Sequence, residues 1–216
     1  MAEKKQLDVA VYHTLDALKR NKLHAVFLKD KEKALQFLLD TIPHDNTVGV
    51  GDSVTLKEIG ILKELKRKGF TVYWPFDETV PKEERTNVAR RALLADVFLS
   101  SSNAITLDGK IVNTDATGNR VAGMIFGPRK AIIVVGTNKI VKNVDEALER
   151  VKNVAAPLNA KRIRREKNWE LLPCAETGRC VDCNSENRIC NVTTIIEKKP
   201  RGIDLLVVIV GQTLGL

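Results

Sequence analysis

Aromatic side chains are scarce in this chain: six Phe, two Tyr and two Trp make up only 5% of 216 residues. Single-stranded nucleic acids stack their bases on aromatic platforms. The one dense basic run, Lys161-Arg162-Ile163-Arg164-Arg165-Glu166-Lys167, has no aromatic residue interleaved. The net charge of +8 therefore reads as charge scattered over solvated surfaces. The basic run is expected to be a solvated helix face that could dock an acidic partner, and no nucleic-acid partner is expected. Long apolar runs are missing as well. The longest, residues 205–210 and 131–135, fall far short of the roughly 20 residues that cross a bilayer, so no membrane span is expected. Residues 1–22 mix acids and bases without an apolar stretch, which predicts no secretory leader and a cytoplasmic address. Histidine is limited to His13, His24 and His44 in no metal-like spacing. Neither a Gly-x-Ser-x-Gly elbow nor a His-Glu-x-x-His helix occurs, so hydrolase chemistry has no visible carrier.

What is present is enough for a sizeable core, since 44% of the residues are hydrophobic and 29% charged. Helical spacing of Leu7, Ala10, Val11, Leu15 and Leu18 predicts an opening amphipathic helix. Strand-like segments then alternate with helical ones: strands at 25–28, 47–51, 70–73 and 97–100, and helices at 30–39, 54–68 and 82–94. Asp30 is the expected cap of the first of these helices, and Gly69 the stop of the second. A tight hairpin with Asp108-Gly109 at its turn is expected over 104–112. A short helix over 118–126, a buried strand over 131–135, helices over 145–154 and 157–171, and strands over 192–196 and 205–210 complete the reading. The expected fold class is α/β, a mostly parallel sheet flanked by helices. The expected organisation is a single α/β domain spanning 1–216, with a small cysteine-rich insert at 171–190.

In such sheets ligands sit beyond the carboxyl ends of the strands, and three polar segments fall there. Gly49-Val50-Gly51-Asp52-Ser53-Val54-Thr55 joins a strand to a helix, where N–H groups and the Ser53 and Thr55 hydroxyls could meet a phosphate or carboxylate. A plain tight turn with Ser53 as a helix cap is the competing reading. The second segment, Asn113 to Arg120, contains Gly118 and Asn119. There Arg120 could pair bidentately with a carboxylate while Asn119 orients it. The third is Thr137-Asn138-Lys139, where Lys139 is either an anion partner or a solvated lysine at a strand end.

All four cysteines, Cys174, Cys180, Cys183 and Cys190, lie in one segment with the spacing C-x5-C-x2-C-x6-C. Between the first and the last, only Ala175, Val181 and Ile189 are apolar, so the segment has no hydrophobic core of its own. A metal is the more capable staple. Structural zinc supplies roughly 10–16 kcal/mol in small peptides, and a disulfide closing a loop of about 15 residues supplies about 3 kcal/mol. Four sulfurs suit an iron-sulfur cluster or tetrahedral zinc, with redox disulfides or free thiols as the remaining option.

Taken together, the segments Val48-Gly49-Val50-Gly51-Asp52-Ser53-Val54-Thr55-Leu56, Asn103-Ala104-Ile105-Thr106-Leu107-Asp108-Gly109, Thr117-Gly118-Asn119-Arg120-Val121-Ala122 and Val135-Gly136-Thr137-Asn138-Lys139-Ile140-Val141 resemble the lactate utilization (LUD) domain family. The resemblance runs from about Val9 to Val210. It implies a fold of the type shared by sugar-phosphate isomerases and coenzyme A transferases, with the glycine turn in the ligand cleft. It also implies a link to the oxidation of L-lactate to pyruvate beside iron-sulfur partners, hence an oxidoreductase subunit with a redox protein partner. The expected ligand set is Gly49, Gly51, Ser53, Thr55, Asn103, Asn113, Gly118, Asn119, Arg120, Asn138 and Lys139, and self-association is compatible with it. The cysteines mark a subgroup, for which an iron-sulfur cluster is the first expected cofactor and zinc the alternative. Two other functions stay open: a scaffold with structural zinc, and phospho-sugar or coenzyme A chemistry on the same fold. The glycine turn looks like the phosphate loop of ribose-phosphate isomerases, but their acidic and lysine catalytic motifs have no counterpart here.

Overall fold

The computed structural model describes residues 2–167 and 172–216. Six strands form a wholly parallel sheet: β1 (His24–Leu28), β2 (Val48–Val50), β3 (Val72–Tyr73), β4 (Val97–Ser100), β7 (Lys130–Gly136) and β10 (Asp204–Val210). They lie in the order β1-β10-β7-β4-β2-β3. Apolar strands without alternation are what a parallel sheet covered on both faces requires, and the central pair follows that rule. Ala131 to Val135 and Val207 to Val210 are all fully buried, and the two strands pair from Asp204↔Lys130 to Val210↔Gly136.

One face is covered by α2 (Lys31–Thr41), α3 (Val54–Ile59) and α4 (Ile61–Arg67), whose Leu38, Leu56 and Leu65 pack with Val48, Leu99 and Val208. Asp30 caps α2 by accepting from the Lys33 N–H at 2.8 Å. The continuous helix expected over 54–68 is divided instead. Gly60 takes a left-handed conformation (φ 81°) and closes α3 by donating to Leu56 and Lys57 carbonyls.

The other face carries α1 (Ala2–Arg20) and a second sheet. In that sheet β5 (Ala104–Thr106) and β6 (Ile111–Asp115) form the expected hairpin, joined by β8 (Ile140–Val141) and β9 (Val192–Ile196) in the order β8-β5-β6-β9. Of the two final strands, then, only β10 enters the parallel sheet; β9 runs antiparallel to β6. Val11, Leu15 and Leu18 meet Ile105, Ile111 and Ile196 and the underside of β7 and β10 in a second core. The hairpin turn presses on α1 so closely that a Cβ on Gly109 would lie 2.7 Å from the Ala17 backbone.

The remaining helices are α5 (Arg85–Ala92), α6 (Asn119–Ile125), α7 (Val144–Arg150), α8 (Ala156–Lys167) and the short α9 (Pro173–Thr177). A π-helical segment, Val151–Ala155, joins α7 to α8, where two separate helices were expected. Pro157 has no N–H for the preceding turn, and local widening accommodates that defect. The expected end of the second helix, 168–171, lies outside the described residues.

Candidate functional site

A cleft opens at the carboxyl ends of β2, β4 and β7, with a volume of about 160 Å³. Ser53 and Thr55 line it after β2, Asn103 after β4, Asn119 and Arg120 on α6, and Lys139 after β7. These residues come from four separate segments of sequence; the ends of the parallel strands β2, β4 and β7 bring three of them together, and α6, which follows β6, adds the fourth.

Lys139 sits in the single turn Thr137–Lys139 that follows β7. It is 4% exposed, so the reading as a solvated lysine does not hold. Its ammonium nitrogen lies 3.0 Å from Thr55 Oγ1 and 3.0 Å from Ser101 Oγ, and those two hydroxyls are themselves 3.2 Å apart. Burial lowers its pKa from 10.5 to about 7. The charges of Arg150 and Arg120 push the same way, and Glu58 opposes them weakly.

Arg120 is committed to the protein. Nη1 donates to the Ser101 carbonyl (2.9 Å) and Asn113 Oδ1 (2.7 Å), and Nη2 to the Thr114 carbonyl (2.7 Å) and Asn103 Oδ1 (3.3 Å). Its guanidinium fork is therefore directed at the strand ends rather than at a ligand, and its charge reaches the cleft as a field. Asn113 is fully buried and holds the same knot by accepting from the Asn103 N–H at 3.1 Å. Gly118, at φ 89°, turns the chain so that its N–H meets Asp115 Oδ2 at 2.9 Å, which starts α6. Asn119 carries the next side chain along the cleft wall.

Other expected ligand residues serve the scaffold. Gly49 lets α5 approach, because a Cβ there would lie 2.2 Å from the Ala92 carbonyl oxygen. Gly51 leaves room for Arg120, whose Cγ would lie 2.8 Å from an added Cβ. Ser53 caps α3 by accepting from the Leu56 N–H at 3.2 Å. Asn138 anchors the last residues, its Oδ1 accepting from the Leu214 N–H at 3.1 Å.

Several cleft residues were not singled out by sequence. Ser101 and Ser102 belong to a polar run directly after the apolar β4, and that abrupt change was a usable signal. Arg150, which borders the cleft residues without lining the cleft, gave none: on α7 it reads as a surface arginine. It nevertheless donates to the Asn103 carbonyl at 2.7 Å and the Asn138 carbonyl at 3.3 Å. The basic run also needs correction. Lys161, Arg164 and Arg165 are exposed, but Arg162 is 9% exposed and lies in the cleft wall. It pairs with Asp52 at 2.7 Å and Glu166 at 3.1 Å. A buried arginine facing a carboxylate of the glycine turn locks α8 to that turn.

The cysteine segment lies against this cleft. Register does the positioning: Asp115 pairs with Val192, which brings Cys190 to the cleft wall, and the Asn191 N–H and side-chain amide donate to the carbonyls of Asp115 and Ala116. The body supplies the apolar partners the segment lacks, since Leu172, Cys174, Ala175 and Ile189 pack with Ala160 and Ile163 of α8. These contacts hold the two ends of the segment. The Cys180 N–H donates to the Lys152 carbonyl of the π-helical segment at 2.8 Å. Arg188 ties the loop together through the carbonyls of Cys183 (2.7 Å) and Cys190 (3.2 Å) and through Asp182 (2.8 Å).

All four cysteines are free thiols, with Cys174 buried and the others half-buried. Burial and then the neighbouring Cys183, Cys190 and Cys180 push the Cys174 thiol above its ordinary pKa. The donor chemistry suits a soft metal, and the Asp182 N–H donates to Cys180 Sγ at 3.4 Å. The arrangement does not close on one: among the described residues, no group of three or more His, Cys, Asp or Glu side chains could hold a metal ion.

Fold and site define a parallel α/β protein with a cationic cleft at its strand ends. The LUD domain model matches residues 11–210, and the chain belongs to the LUD domain family. A crystal structure of a duf162 family protein from Deinococcus radiodurans is similar, at 13% identity and a TM-score of 0.53, over 95% of this chain and 98% of that one. At that identity the likeness shows the fold. No curated protein matches the chain. Among the described residues, no helix is long and apolar enough to cross a membrane.

Proposed function

We propose that the cleft binds a small anion, a carboxylate before a phosphorylated compound, and that the chain is a redox-associated LUD subunit linked to the oxidation of L-lactate or a related acid. The observation that carries this reading is Lys139, a buried cation whose hydrogen-bond partners are two hydroxyls, with Arg120 and Arg150 adding positive potential. An entering anion would relieve three mutually repelling charges at once. The volume of about 160 Å³ favours a ligand of a few heavy atoms over coenzyme A, because drug-sized ligands occupy roughly 300–1,000 Å³. Calorimetry with L-lactate, pyruvate and inorganic phosphate tests the proposal. At least one should bind at neutral pH, more weakly in high salt, and at least tenfold more weakly to Lys139→Ala. Binding unchanged by that substitution would remove the cleft from consideration.

A second reading keeps a metal centre at Cys174, Cys180, Cys183 and Cys190, an iron-sulfur cluster before zinc. Two observations favour it: Cys174 is close enough to the other three thiols for each to raise its pKa, and Cys190 borders the same cleft as Lys139. The thiols would have to close further around the metal. A reducing cytoplasm, with a redox protein as partner, is where four free thiols persist. Iron, sulfide and zinc analysis of protein purified without oxygen decides among cluster, zinc and free thiols.

A further inference from the structure

Among the described residues, the hydrogen-bond partners of Lys139 are two hydroxyls, those of Thr55 and Ser101, and no carboxylate. Both hydroxyls line the cleft with it. A lysine kept only as a charge for holding an anion gains from being fully protonated and exposed to its ligand. This one is buried on the cleft floor, where desolvation and two arginine charges act against its proton. Arg150 approaches from α7 and Arg120 from α6, while Glu58 of α3, which acts the other way, accepts from the Gly215 N–H at 2.7 Å. Desolvation beside other cations is the arrangement that makes an amine a nucleophile at neutral pH.

We propose that Lys139 is a nucleophile that forms an imine with the carbonyl carbon of a small anionic carbonyl compound, a 2-oxo acid, bound in the cleft beside Thr55 and Ser101. This deepens the anion-binding reading and rests on it. In the step, the neutral amine attacks the carbonyl carbon, a carbon–nitrogen bond forms as the carbon–oxygen π bond breaks, and the carbonyl oxygen takes up a proton from water. The carbinolamine then loses that oxygen as water, leaving a protonated imine. No electrons are gained or lost, and no co-reactant is needed. The hydroxyls 3.0 Å from the amine can accept the proton it sheds and return one to the departing oxygen. The positive field of Arg120 and Arg150 holds the substrate carboxylate in the cleft.

The chemistry has a readout that binding alone lacks. At pH 7 about half of an amine with a pKa of about 7 is neutral, against roughly one part in a thousand for an ordinary lysine. The full chain is incubated with pyruvate or glyoxylate and cyanoborohydride at pH 7, and the reduced adduct is mapped by peptide mass spectrometry. One adduct is expected, on Lys139, formed on the order of 100-fold faster than at any other lysine and suppressed by excess L-lactate. Lys139→Arg should abolish it; if that variant does not fold, Lys139→Met serves the same purpose. Slow labelling spread over surface lysines, or equal labelling of the variants, would overturn the imine. Calorimetry with L-lactate and phosphate, which lack a carbonyl to trap, separates the two levels. Binding without an adduct removes the imine and leaves the anion cleft, whereas neither binding nor adduct removes both.

Discussion

The cleft and the cysteine segment touch at Cys190 but are built on opposite principles. In the cleft the polar groups at the strand ends, Thr55, Ser101 and Lys139 among them, are buried and bonded to one another, and Arg120 alone reaches four protein acceptors. The cysteine segment is held at its ends, by Ile189 and Cys174 against α8 and by Asn191 against the loop after β6. Its centre, from Arg179 to Asn187, is exposed or half-exposed and is tied down by Arg188 and by the one bond from the Cys180 N–H to the Lys152 carbonyl. A preorganised polar knot ties its stability to the whole fold, while a segment held at its ends can loosen without the body unfolding.

The sharpest way to break this contrast is Arg120→Met. It takes a charged donor from the carbonyls of Ser101 and Thr114 and from the Oδ1 atoms of Asn103 and Asn113, and it leaves Asp115 without the guanidinium 3.6 Å away. Removing one partner from a buried charged network costs about 3–5 kcal/mol. Urea unfolding should show that loss as a shift in midpoint for the whole molecule. A change below about 1 kcal/mol would mean that the strand ends are not organised around this side chain.

How far the two regions were legible in sequence follows the same division. The cleft could be anticipated where polarity changes abruptly at a strand end, as at Gly51 to Thr55 and Gly118 to Arg120. It could not where a residue arrives from a distant helix: Arg162 looks like a surface arginine until α8 folds over the cleft, and Arg150 until α7 brings it to the Asn103 and Asn138 carbonyls. The second sheet was hidden because β8 has two residues and β9 is mostly exposed, so neither carries a strong apolar pattern. For the cysteine segment, counting its own apolar residues missed the partners that α8 provides, since packing across elements is not visible along the chain.

Lys139→Met tests the cleft from the other side, and here a gain in stability is expected. Between about pH 7 and the ordinary lysine value of 10.5, the unfolded chain carries a proton that the folded chain lacks. Wild-type stability therefore rises with pH across that window, and the cost of the buried charge is fully present below it. Methionine removes that cost. The variant should be more stable by about 1–2 kcal/mol at pH 6, and the advantage should shrink toward pH 10. Thermal unfolding across this range checks both sign and slope. A variant less stable at every pH would make Lys139 a structural residue, and the strain of a functional site would have to be sought elsewhere.

The smallest expected effect lies in the cysteine segment. In protein stripped of metal by a chelator, the double substitution Cys180→Ser, Cys183→Ser removes two half-buried thiols that do not anchor the segment. The unfolding midpoint of the body should stay within about 0.5 kcal/mol of wild type. Hydrogen exchange should change only near residues 178–191, because the contacts of Ile189 and Cys174 with α8 remain. Protein purified without oxygen and never chelated gives the complementary measurement. If a metal joins the four thiols, wild type gains exchange protection over the same residues and the double variant does not. Equal protection in both would leave protein contacts alone, those of Arg188, Asn191, the Cys180 N–H and α8, as the support of the segment. Protection that extends into β6 and the polar loop would mean that a centre at the thiols and the anion cleft stabilise one another, since Asn191 is the bond they share.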